Sequence, residues 1–152
     1  MLEPQTITEY TSERTFNIYD ASWGSHALVL HSFGGMFLGD AIDLVFLSVD
    51  HVDLPFEING LRVSQPCDKE ALEYERTFGV ARKLEDTAGK RLFGVESADK
   101  RFHVIAAKMW VLIRPHDPTL SLRPLLDSNS EGRDEFINKH LKEWYKMDSL
   151  AG

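Results

Sequence analysis

Two stretches of the chain are apolar at both alternating positions, and they constrain its fold more than any other feature. From Ala41 to Val49, Ile42, Leu44 and Phe46 alternate with Ala41, Val45, Leu47 and Val49. From Phe102 to Ile113 the chain is apolar on both parities apart from Lys108, with His103 enclosed in the run. Successive side chains of a strand point to opposite faces, so a strand apolar on both parities must be covered on both. Neither run approaches the ~18 residues of a membrane helix. The chain is therefore expected to build a sheet with at least two central strands.

The flanking segments extend that reading. Residues 1–13 are polar and aperiodic, which predicts a loosely ordered N-terminus. Arg14 to Ala21 alternates around Phe16 and Ile18, and His26 to Phe33 alternates Leu28 and Leu30 against Ala27 and Val29. The turn residues Ser22-Trp23-Gly24-Ser25 join these two segments into a predicted hairpin. Asn59-Gly60, between Phe56 and Ile58 on one side and Leu61 and Val63 on the other, predicts a second hairpin, because such turns need φ > 0. Asp68 caps a short predicted helix running to about Phe78 and ended by Gly79. Strands follow at about 81–86, 90–96 and 101–113, with turns at Asp86-Thr87-Ala88-Gly89 and Asp99-Lys100. Pro115, Pro118 and Pro124 predict an irregular crossing. A C-terminal helix is expected over 131–147, with Ser130 as cap and Phe136, Ile137, Leu141 and Trp144 on its apolar stripe.

With 152 residues and no linker or repeat, the chain reads as a single domain spanning 1–152, able to bury roughly 70% of its unfolded surface. The expected class is α+β: a β-rich, mainly antiparallel curved sheet, with one short inserted helix and a C-terminal helix packed on it. A sandwich or partly open barrel is the alternative. One cysteine excludes an internal disulfide framework. No basic-then-apolar leader is visible, so a cytoplasmic location and no membrane association are expected.

The net charge of −7 is unevenly distributed. Residues 1–66 hold nine acids and two bases, Arg14 and Arg62, while residues 67–152 hold fifteen of each sign. Either bases from the second half neutralise those acids in the fold, or one surface is left negative. An acidic surface argues against general nucleic-acid binding and favours a basic protein partner. The candidate partner-binding residues are Asp40, Asp43, Asp50, Asp53 and Glu57, with Trp23 at a turn as an aromatic anchor.

Other chemistry is sparse. In Asp50-His51-Val52-Asp53, an extended backbone puts His51 and Asp53 on one face, where a carboxylate can orient an imidazole or both can ligate a metal. Two ligands do not complete a metal site. His26 and His31, on one predicted strand, face opposite sides and cannot ligate jointly. His103, His116 and His140 read as packing or loop residues. Cys67 has no visible base to activate it, and Gly34-Gly35-Met36-Phe37-Leu38-Gly39 lacks the residues of a phosphate loop. No cofactor signature is present, and the oligomeric state is left open; a homo-oligomeric module is a further alternative.

Thr15-Phe16-Asn17-Ile18-Tyr19-Asp20-Ala21-Ser22-Trp23-Gly24-Ser25-His26-Ala27-Leu28-Val29-Leu30, followed by Asp40-Ala41-Ile42-Asp43-Leu44-Val45-Phe46, resembles a small family of uncharacterised bacterial proteins. The resemblance covers the first third of the chain and implies no activity, cofactor or catalytic residue. In size and acidity the chain also resembles bacterial toxin-neutralising immunity proteins.

Overall fold

The computed structural model describes residues 2–22, 26–33, 39–65, 69–70, 73, 76, 91–115, 117, 120–127 and 130–147. Its strands are β1 (Gln5–Ile7), β2 (Glu9–Ser22), β3 (Ala27–Ser32), β4 (Asp40–Leu47), β5 (His51–Asp53), β6 (Glu57–Ser64), β7 (Arg91–Ser97), β8 (Lys100–Ala106), β9 (Lys108–Pro115) and β10 (Glu143–Met147). They form one mixed sheet in the order β1-β10-β9-β4-β3-β2-β6-β7-β8-β5, open at β1 and β5. The β1–β10 pair is parallel, and the remaining pairs are antiparallel. Two helices, α1 (Arg123–Asp127) and α2 (Ser130–His140), precede β10, and Lys69, Glu70, Glu73 and Arg76 are also helical.

The two doubly apolar runs find each other. β4 and β9 pair from Asp40↔Pro115 to Leu47↔Lys108, in the interior of the sheet. Even-numbered positions of β3 and β4 (Leu28, Leu30, Leu44, Phe46) join Phe16, Phe93, Val104, Met109 and Val111 in one core. Odd-numbered positions (Val29, Val45) turn to the other face, where Leu112 and Trp144 meet Leu125, Phe136 and Ile137 from the two helices. Leu44, Val45 and Phe46 are all fully buried. Each contributes roughly 1.5–3 kcal/mol of burial, so truncating this strand damages both cores at once.

A corner bends the sheet. Ala107 N donates to Leu47 O at 2.9 Å and Asp50 N to Ile105 O at 2.8 Å, carrying the β4–β9 pairing around into β5–β8. Ser48 takes φ 54° there. Val104 and Ala106 before the corner and Met109 and Val111 after it consequently face the same core.

Several expectations change. The expected single strand over 101–113 is two, β8 and β9, because the corner at Ala107 divides it. Residues 5–13 are not loosely held: Gln5, Thr6 and Ile7 pair with Tyr145, Lys146 and Met147, and β2 begins at Glu9. Ile7 packs on the first core, which fastens the segment. Asn59-Gly60 does not turn the chain. It lies inside β6, where Asn59 pairs with Thr15 and Leu61 with Ser12, leaving Glu13 and Arg14 as a bulge opposite Gly60. The positive φ of Gly60, 74°, lets β6 follow that bulge. The C-terminal helix stops at His140, not 147. Lys142 N donates to Ile113 O at 2.8 Å, and Trp144 and Met147 then alternate between the two cores as strand residues. The Pro-rich crossing contains a short helix, α1, with Pro124 in its first turn, where a missing N–H costs nothing. The expected turn at 22–25, the strand at 81–86, the turn at 86–89, and Cys67 and His116 fall wholly or largely outside the described residues.

Candidate functional site

A buried polar cluster sits on three interior strands of the sheet. His31, Asp43 and Arg114 belong to the helix-bearing face of β3, β4 and β9, and are 2%, 0% and 2% exposed. Asp43 sits directly opposite His31 and diagonally from Arg114, which stands opposite Ala41. Arg114 Nε donates to Asp43 Oδ2 at 2.8 Å, while His31 Nδ1 is hydrogen-bonded to Asp43 Oδ1. A carboxylate can only accept, so the shared proton belongs to Nδ1. Nε2 has no partner, nor does Arg114 Nη1, although both are buried.

On its outer side the His31 ring lies between two aromatics. Tyr19 is 4.8 Å away at a 36° tilt, and Phe33 packs edge-on at 4.3 Å. Tyr19 is 47% exposed and Phe33 54%. The same cross-strand row continues outward from His31 to Asn17 on β2 and from Asn17 to Glu57 on β6, both exposed. Thus Glu57, Asn17, His31 and Asp43 are successive neighbours across four strands, running from solvent to the interior.

The acids of residues 40–57 separate into two groups. Asp43 was expected at a partner-binding surface but is buried and engaged, because β4 is covered on both faces and residue 43 shares its face with Val45. Asp40 pairs with Lys142 at 3.0 Å. Bases from the second half of the chain therefore neutralise both. Asp50 and Glu57 are exposed, Asp53 is half-buried, and Phe56 (84%) and Val52 (39%) stand exposed among them. Trp23 lies outside the described residues.

His51 and Asp53 do share one face, opposite Ile105 and His103 on β8. Among the described residues, no group of three or more His, Cys, Asp or Glu side chains comes together to hold a metal. His103 Nε2 lies 3.3 Å from Glu70. His26 falls outside β3 with φ 53°, so it and His31 are not on one strand. His140, at the end of α2, packs against Phe136 at 4.8 Å.

A second polar array runs over the exposed face of β2, β6, β7 and β8. Arg62 binds Glu9 at 2.8 Å and Glu96 at 3.1 Å, and Arg101 binds Glu96 at 2.8 Å and both oxygens of Glu70. The Arg62 hydrogen bond holds the Glu9 carboxyl below the usual range, and Glu9 and Glu96 together raise Arg62. An open cleft of about 450 Å³ beside it is lined by Ser12, Asn59, Gly60, Arg62, Glu96 and Ser97. Its charged groups bind one another, so this array reads as a closed ion-pair ladder.

No helix among the described residues is long and apolar enough to cross a membrane. No family model, curated protein or solved structure matches the chain.

Sequence reasoning missed the His31–Asp43–Arg114 cluster. A signal was present: one acid in a strand otherwise apolar on both parities must be buried, and a buried carboxylate requires donors. Arg114, ending the other doubly apolar run, is such a donor.

Proposed function

We propose that the protein is a non-enzymatic cytoplasmic binding module that captures a basic protein partner through the acids of residues 50–57, the part of the 40–57 stretch left outside the core. One observation carries this reading. Glu57 and Asp50 are exposed on the segment from β4 into β6, with exposed Phe56 and Val52 between them, and no Lys or Arg occurs between Arg14 and Arg62. Exposed apolar side chains set among acids suit a partner that brings both a basic charge and an apolar anchor. The likeness to immunity proteins in size and acidity points the same way.

A heptaarginine peptide serves as the first probe. The Asp50→Lys/Asp53→Lys/Glu57→Lys variant is expected to lose most of its association rate at low salt, and the difference from the parent should vanish at high salt. An unchanged rate and an unchanged salt dependence would overturn the reading. A partner recovered from the native host is then measured against the same pair of proteins.

A further inference from the structure

We infer that the outer edge of β5 receives an extended segment of the basic partner as an added strand, paired through the backbone of Val52. The inference rests on the reading that the partner is basic.

β5 is the last strand of the sheet, with β8 on one side and no strand on the other among the described residues. Its backbone groups have a definite direction. Asp50 N donates to Ile105 O at 2.8 Å, so the Ile105 carbonyl is aimed at β5. Bonded and non-bonded pairs alternate along an antiparallel ladder. His51↔Ile105 and Asp53↔His103 are therefore the bonded pairs, and Val52↔Val104 between them is not. The N–H and C=O of Val52 consequently point away from β8, out of the sheet edge. Such outward groups are a template for a further strand.

The side chains define which strand fits. Val52 lies on the same face of the sheet as Val104, which is fully buried in the first core. Val49 and Leu54, beyond either end of β5, also pack on that core, yet Val52 is 39% exposed. The first core thus ends at β5 with an apolar side chain in solvent. An apolar residue of an added strand, directly opposite Val52, would cover it. Asp53 takes the other face of β5 and is half-buried, and Glu57 beyond it is exposed. No Lys or Arg occurs between Arg14 and Arg62. Opposite charges on facing strands attract and like charges repel. The complement of this edge is a strand in which an apolar residue lies between two basic ones. Backbone pairing supplies the affinity, and the alternating side chains supply the selection.

The test uses the intact protein and two isomeric octapeptides that alternate valine and lysine. One is N-methylated at its valines and the other at its lysines, so charge and composition are equal. A valine opposite Val52 must turn its own N–H toward β5, and methylation removes that donor. The valine-methylated peptide is expected to bind about tenfold more weakly than its isomer. Saturation with the lysine-methylated peptide should also slow hydrogen exchange at the Val52 amide. Equal binding of the isomers, or an unprotected Val52 amide at saturation, refutes strand addition. The acidic-surface reading then stands if heptaarginine still binds and the Asp50→Lys/Asp53→Lys/Glu57→Lys variant loses it. Protection of Val52 without peptide, growing with protein concentration, gives the edge to a second copy and likewise refutes the inference. If no peptide binds, heptaarginine included, the acidic-surface reading falls and takes strand addition with it.

Discussion

His31 and Asp43 face each other directly across β3 and β4, joined through Nδ1 and Oδ1, and both are buried. Asp43 also takes a 2.8 Å bond from Arg114, 71 residues away in sequence. One carboxylate thus ties together three strands on the helix-bearing face of the sheet.

Removing that carboxylate strands two polar groups in the interior. Asp43→Ala should destabilise the fold by about 3–5 kcal/mol, the range for breaking a buried ion pair from one side. Replacing His31, Asp43 and Arg114 together with apolar residues of similar volume should cost much less. Urea unfolding of both variants checks this. Equal losses would show that packing volume, not unmet polarity, dominates the site.

Gly94 leaves space for Arg101. A methyl group there would stand 2.8 Å from Cζ of Arg101, whose guanidinium is held by Glu70 and Glu96. Gly94→Ala should lower stability by about 1 kcal/mol, since the displaced ion pairs are only partly buried. The same substitution in an Arg101→Ala background should be close to neutral. A double-mutant cycle by thermal melting measures the coupling.

At Gly60 the constraint is the backbone itself. Its φ of 74° is unfavourable for residues with a Cβ, whereas a Cβ would find nothing closer than 3.8 Å. Gly60→Ala should cost about 1 kcal/mol and Gly60→Asn less, because Asn tolerates the left-handed region. Equal losses for the two would show that side-chain contacts set the cost.

Alkaline stability should depend on Tyr10. Burial beside the first core pushes its phenol pKa up. The folded protein therefore holds this proton at a pH where the unfolded chain has lost it, and stability falls as pH rises past about 10. Below that point the phenol is protonated in both states and contributes no slope. Tyr10→Phe should flatten the fall in melting temperature above pH 10. Tyr145 is also raised, chiefly by its hydrogen bond to Glu143, so Tyr145→Phe supplies the comparison. An unaltered slope in Tyr10→Phe would refute the assignment.

Much of the sheet was legible because burial on both faces writes itself into both parities of a strand. Ala41–Val49 and Phe102–Ile113 announced central positions, and β4 and β9 occupy them as partners. Asn59-Gly60 misled because the bulge it serves is on β2, at Glu13 and Arg14, and no local pattern in β6 reveals a partner's irregularity. The C-terminal helix was overextended because Leu141, Trp144 and Tyr145 satisfy helical spacing while Trp144 and Met147 also satisfy alternation. The acids of residues 40–57 were read by charge, and charge carries no depth. Asp43 and Glu57 look alike in sequence, yet they lie at opposite ends of one row.

The edge strand β1 has a consequence for how the molecule is made. Its partner is β10, and the contacts that fasten the first residues, Leu2 N to Asn138 Oδ1 and Trp144 Nε1 to Leu2 O, span 136 and 142 positions. During synthesis residues 2–7 therefore emerge well before their partners and take their place only once Asn138 and β10 have followed. Until β10 is made, β1 has no partner strand and β9 keeps an unpaired edge, so the growing polypeptide carries an uncapped sheet while the helices between β9 and β10 are still being synthesised.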